Sequence, residues 1–224
     1  MSIVAVLVDG GFYQRKAQQH WGLKTPGERA EELIDYCRQH LTVHDKLYRI
    51  FYYDCPPSSK KVFHPLSQRQ IDLAKSPLYK WMMDFQEEMR NKRKVALRLG
   101  ELSENHMCYT INAEATKKLC RKVIKLEDLQ ETDFTLNIEQ KGVDMRIGVD
   151  IASMAYKKQI NKLFLIAGDS DFVPAAKLAR REGIDFVLDP MGAPIRPSLN
   201  EHIDGLYTHR TCRPTQSVAP EEAE

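Results

Sequence analysis

Carboxylates recur at the ends of apolar runs in this chain. Residues 163–167 form an unbroken apolar run that stops at Gly168, and Asp169 and Asp171 follow with only Ser170 between them. Residues 3–8 repeat the pattern and end in Asp9-Gly10-Gly11. A fourth acid, Asp144, follows Lys141-Gly142-Val143 where a helical spacing of apolar residues begins. Acids gathered in one crevice repel each other, raising their pKa values, unless a positive charge sits among them. Hard oxygen donors suit Mg2+ or Mn2+, which keep several waters and bind through few carboxylates plus substrate phosphate. Such an ion activates water and neutralises charge on a phosphodiester, with two ions about 3.5 to 4 Å apart in the fullest form of the mechanism. The chemistry indicated is phosphodiester hydrolysis, with Asp9, Asp144, Asp169 and Asp171 as both catalytic and metal-binding candidates.

Secondary candidates stand beside them. Asp150 lies six residues beyond Asp144, about 240° around a helix, and so off its face. Lys141 is placed to reach a phosphate or pair with an acid, and Ser170 offers a hydroxyl. Three of the acids also have a purely structural reading: Asp9 capping a turn, Asp144 serving the helix dipole, Asp171 as N-cap of the following helix. Their coincidence at one sheet edge is what those separate readings leave unexplained.

The elements that must position these acids read as α/β. Unbroken apolar runs bounded by turn residues are strands buried on both faces, as in parallel sheets covered by helices. In such sheets ligands bind outside the carboxyl ends of the strands. Thr25-Pro26-Gly27-Glu28 is a capping box with proline in the first turn, and Leu33, Ile34, Cys37 and Leu41 recur behind it at helical spacing. Residues 47–53 read as a second strand, ended by Asp54-Cys55-Pro56-Pro57. Ser76-Pro77 starts a helix whose stripe of Leu78, Trp81, Met82, Phe85 and Met89 is expected to be core. Residues 95–99 read as a third strand and 134–138 as a half-buried one. Helices are expected over 143–156 and 172–181, the second with Pro174 in its first turn and Gly183 as its stop, and a strand over 184–188. That alternation argues for right-handed parallel crossovers.

Residues 103–131 are polar, and 113–126 are expected to be a helix with Leu119, Val123 and Leu126 inward. Its other face carries Lys117, Lys118, Arg121, Lys122 and Lys125. That face is either a solvated surface or a contact for an RNA phosphate backbone. A chain of 224 residues suffices for one α/β domain, expected over 1–208 with an insertion at about 103–131 and a disordered tail at 209–224. A net charge of +2 does not by itself announce a nucleic-acid binder. Cysteines at 37, 55, 108, 120 and 212 form no CxxC pair, which argues against a disulfide framework or zinc ribbon and for a cytoplasmic setting. No apolar run approaches the roughly 18 residues of a membrane span.

Val8-Asp9-Gly10-Gly11, Lys141-Gly142-Val143-Asp144 and Gly168-Asp169-Ser170-Asp171-Phe172 with Pro174 together resemble the bacterial NYN domains, relatives of the PIN-domain ribonucleases. The similarity runs from about residue 3 to 207. It implies a Rossmann-like, mostly parallel sheet with helices on both faces and a metal-dependent ribonuclease with Asp9, Asp144 and Asp169 as first ligands and Asp171 beside them. It also implies that the first strand lies centrally, next to the strand ending at Asp169. RNA, single-stranded or structured, is the implied partner, with an oligomer open. Where the family often carries an asparagine soon after the first aspartate, this chain has Gly11 and Phe12.

Two readings compete from other classes. A haloacid-dehalogenase-like phosphatase needs a second aspartate two positions after the first, where Gly11 stands. A non-catalytic RNA-binding or regulatory module of the same fold would keep the basic face without cleavage. Serine and metallopeptidase motifs are missing: there is no GxSxG, and the seven histidines have no HExxH spacing.

Overall fold

In the computed structural model, which describes residues 1–208, the chain runs β1 (Ser2–Asp9), α1 (Gly10–Trp21), α2 (Pro26–Arg38), β2 (Asp45–Asp54), β3 (Lys61–Phe63), β4 (Gln70–Asp72), α3 (Pro77–Arg90) and β5 (Val95–Leu99). It continues through β6 (Glu101–Leu102), β7 (Cys108–Ile111), α4 (Ala113–Cys120), β8 (Phe134–Asn137), β9 (Gln140–Lys141) and α5 (Val143–Tyr156). It closes with β10 (Lys162–Ile166), α6 (Val173–Arg181), β11 (Asp185–Asp189), α7 (Pro197–Asn200) and β12 (Gly205–Leu206).

Six strands form one sheet in the order β12-β11-β10-β1-β2-β5, every neighbouring pair parallel. Side chains alternate across it. Val4, Val6 and Val8 of β1 pack toward α1, α2 and α3, while Ala5 and Leu7 pack toward α5 and α6. Burial on both faces is the reason the strand sequences are unbroken apolar runs. From β1 the chain steps through β2 to β5 on one side, then returns to build β10, β11 and β12 on the other. The order therefore reverses between β1 and β10, the place where open α/β sheets bind ligands.

Local signals account for most helix starts. Thr25 accepts from the Glu28 N–H while the Glu28 side chain accepts from the Thr25 N–H, closing the expected box. Leu41 falls beyond the end of α2 but still packs partly against the same core. The expected core stripe on α3 is divided: Phe85 and Met89 are buried, whereas Leu78 is 66% exposed and Trp81 only half-buried. α4 stops at Cys120 instead of 126. The Val123 N–H bonds the Lys118 carbonyl and the Lys122 N–H that of Leu119, with Lys122 at φ 58°, so a Schellman turn ends the helix. Val123 and Leu126, expected inward, are 68% and 72% exposed as a result.

Between β5 and α5 the chain makes an antiparallel ribbon, with β6 on β9 at its base, β7 on β8 further out and α4 between β7 and β8 in sequence. The β3–β4 hairpin braces it. The His64 ring packs edge-on against Tyr109 and Phe134, and Ser58 Oγ donates to Glu104 at 2.8 Å. Cys37, Cys55, Cys108 and Cys120 are free thiols; Cys212 and the expected disordered tail at 209–224 lie outside the described residues. Under α2, Asp189 at the end of β11 is fully buried and held by the Tyr36 hydroxyl at 2.5 Å, His40 Nε2 at 2.8 Å and the Met191 N–H at 2.8 Å.

Candidate active site

β1 delivers Asp9 to the carboxyl edge of the sheet, where it becomes the N-cap of α1: Oδ1 accepts the Phe12 N–H at 3.1 Å. β1 pairs with β10 in the register Val8 to Ile166, so Ala167 and Gly168 continue past Asp9 to Asp169. The Phe12 ring lies on Gly168, where an added Cβ would stand 2.4 Å from Phe12 Cε2. Only glycine lets the two chain segments approach this closely. Asp169 Oδ1 accepts the Asp171 N–H at 3.1 Å, and a short 3-10 turn, Ser170–Phe172, leads into α6. Asp171 is therefore not the N-cap expected of it; Phe172 occupies that position without a side-chain cap bond. Asp144 enters from the first turn of α5, whose start is set by Gly142 at φ +79°.

Electrostatics show that the acids feel one another. Burial pushes the Asp9 carboxyl above its ordinary pKa, the Phe12 N–H draws it back and the Asp144 charge pushes it up again. Asp144 is raised by partial desolvation and then by Asp169 and Asp171. Among the described residues no Lys, Arg or His lies within 4.0 Å of any of these four carboxylates, although Arg15 offsets Asp9 at longer range. Four oxygen-donor acids without a close cation match what Mg2+ or Mn2+ takes, so the donor chemistry fits. Among the described residues no three acidic, His or Cys side chains already converge as a ligand set, and repulsion between uncompensated carboxylates opposes their closing.

A fifth acid joins them. Asp54, at the end of β2 beside β1, is 4% exposed. Burial pushes its pKa up to about 6; bonds from the Cys55 N–H at 2.7 Å and the Tyr52 hydroxyl at 3.1 Å oppose the shift, while the charge of Asp9 adds to it. The folded carboxyl thus binds its proton more tightly than the unfolded one, and stability falls as pH rises from about 4 to about 6. A shift of about 2 units corresponds to about 3 kcal/mol. Asp54→Asn is therefore expected to be more stable than the wild type by about 1 to 3 kcal/mol at about pH 8, the gap closing toward about pH 4, in urea unfolding across that range. A gap that does not change with pH contradicts this.

The remaining candidates sit elsewhere. Asp150 accepts from the Tyr53 hydroxyl at 2.8 Å and from Arg98 Nε at 3.0 Å, a brace between α5, β2 and β5. Lys141 is exposed on β9, 4.0 Å from Glu139. Ser170 is described through its backbone alone, at the start of the 3-10 turn. Of the basic residues, Lys118 pairs with Glu114 at 2.8 Å and Lys125 with Glu127 at 3.6 Å. Arg121, Lys122 and Lys125 lie past the end of α4.

Residues 87–194 match the family model of the NYN domain, as the motifs led one to expect. The match implies a PIN-like, nuclease-type fold, consistent with the parallel six-stranded sheet. It takes in Asp144, Asp169 and Asp171 but begins after Asp9 and Asp54. No curated protein matches the chain. A solved structure of a protein of unknown function from Vibrio parahaemolyticus aligns with a TM-score of 0.50 at 12% identity over 92% of each chain, a likeness of fold alone. A structure from work on Sir2 enzymes aligns at 0.35 and 10% identity over 94% of this chain and 87% of its own, too weakly to carry an argument.

Proposed function

Proceeding from the NYN domain match, we propose that the protein is a metal-dependent ribonuclease that hydrolyses RNA phosphodiester bonds at the β1–β10 crevice. The observation that carries this reading is the electrostatic influence that Asp144 exerts on Asp9, and Asp169 and Asp171 on Asp144, at the carboxyl edge of the sheet with no cation close by. Asp9, Asp144 and Asp169, with Asp171 beside them, are the proposed holders of Mg2+ or Mn2+. The bound ion supplies an activated water and neutralises charge developing on the phosphate.

The chain's own residues orient the acids and the substrate. The Phe12 N–H fixes one oxygen of Asp9 and the Asp171 N–H one oxygen of Asp169, leaving a second oxygen on each for coordination. α1 and α5 begin at the acids they carry, Asp9 and Asp144. Helix N-termini favour negative charge, so they support a phosphate arriving beside the ion. Among the described residues no helix is long and apolar enough to cross a membrane; a cytoplasmic site of action belongs to the same proposal. The test is a Mn2+- or Mg2+-stimulated cleavage assay on a broad RNA panel. Binding without cleavage by any preparation would favour the non-catalytic module.

The basic cluster completes the proposal as an RNA-backbone contact. Lys117, Arg121 and Lys122 have no ion pair among the described residues, unlike Lys118 and Lys125. Reversing those three to glutamate is expected to weaken RNA binding and to shallow the log affinity against log salt slope by up to about 2, at about 0.7 per phosphate contact. Unchanged affinity and slope assign the cluster to the solvated surface.

A further inference from the structure

Beside the acids, a pocket of about 380 Å3 opens between α1, residues 22–25 with the first turn of α2, and α3. One wall is the exposed half of the α3 stripe: Leu78, Trp81 and Met82. The Trp81 ring is fixed in place, stacked on Phe85 at 5.2 Å and 6°, with its indole N–H donating to the Lys24 carbonyl at 2.9 Å. Gln14 and Gln18 of α1 form the opposite wall, and Asp54 connects the pocket to the acid cluster.

Behind the lining, two buried polar atoms have no partner among the described residues. Gln86 is 1% exposed; its Nε2 donates to the Cys55 carbonyl at 3.1 Å, which fixes the amide and leaves Oε1 an unused acceptor. Arg29 is 2% exposed; Nη1 meets Glu32 and Nη2 the Gly22 carbonyl at 2.5 Å, leaving the Nε–H an unused donor. A ligand with flat apolar faces and polar groups on its rim would meet the Leu78, Trp81 and Met82 wall and the Gln14 and Gln18 side chains opposite it. An unstacked nucleobase has that chemistry.

Resting on the ribonuclease reading, we infer that this pocket seats one base of single-stranded RNA whose adjoining phosphate lies toward Asp54 and Asp9, making it a sequence-selecting subsite. The test compares wild type with Leu78→Ala and Leu78→Glu, at a position 66% exposed and so outside the packed core. Binding of the four 2′-O-methyl homo-octamers, which resist cleavage, is read by fluorescence anisotropy, and Mn2+-dependent cleavage of mixed-sequence RNA is read alongside. Wild type is expected to prefer one octamer by about tenfold, and Leu78→Glu to lose about tenfold in affinity for that octamer with its preference flattened, since the substitution puts a charge in the apolar wall that faces the base. Leu78→Ala should shift the preference in the same direction, with KM raised and kcat unchanged. Equal affinity and preference in all three proteins while cleavage persists overturns the subsite and spares the nuclease. An equal loss for all four octamers in Leu78→Glu alone is charge repulsion and overturns it too. Loss of base preference in the variants, with no cleavage by wild type, upholds the subsite and overturns the nuclease reading. No octamer binding by wild type overturns both.

Discussion

Asp9→Asn and Asp169→Asn are each expected to lower Mn2+-stimulated RNA cleavage by about 100-fold or more, the scale on which a single preorganised electrostatic group acts, while leaving the fold intact. The structural reason is specific to these two positions. Asp9 and Asp169 stand where the strand order reverses, at the ends of adjacent parallel strands. In both, one carboxylate oxygen accepts a backbone N–H, from Phe12 and Asp171. Asparagine keeps an oxygen for that bond and loses only the charge. Circular dichroism and melting temperature should therefore match the wild type while cleavage fails. A variant that keeps half its activity, or that unfolds, contradicts the assignment. Asp150→Asn is the matched control, because that carboxylate is committed to Tyr53 and Arg98.

His40→Ala is expected to produce the largest loss of stability, about 3 to 5 kcal/mol, the range for truncating a large buried ring, because it also removes a buried hydrogen-bond partner of Asp189. Asp189 and the His40 side chain are both fully buried, 2.8 Å apart. His40 also places Nδ1 2.9 Å from the Tyr36 carbonyl, and its ring packs on Tyr36 and Phe164. Truncation leaves a dry carboxylate with the Tyr36 hydroxyl and the Met191 N–H as its remaining bonds. For a domain of this size the loss corresponds to roughly 6 to 20 °C in melting temperature. Urea unfolding measures it; a change under about 1 kcal/mol contradicts the buried-pair account.

The two central strands and α5 were legible from sequence because burial on both faces writes an unbroken apolar run and a one-faced helix writes a 3.6 period. α5 covers residues 143–156 as expected. α1 escapes because Gln14, Arg15, Lys16, Gln18 and Gln19 mask its few buried positions, and Asp9 reads as a turn cap or a site acid rather than as the N-cap of a helix. Asp54 read as a strand terminator: its nearness to Asp9 depends on β2 lying beside β1 in the register Asp9 to Tyr53, a non-local fact. α4 was extended too far because its Schellman turn uses Lys122 where glycine is the usual signal. The half-open α3 stripe failed as a core expectation for a similar reason, since periodicity marks a face as apolar without showing what covers it.

The central claim is that the acids at the strand reversal hold a divalent ion. Anomalous diffraction from crystals soaked in MnCl2 tests it directly. The expected result is a manganese peak coordinated by Asp9, Asp144 and Asp169 together, lost in Asp169→Asn crystals. No peak in the crevice of well-soaked wild-type crystals, or a peak unchanged in Asp169→Asn, would contradict the account.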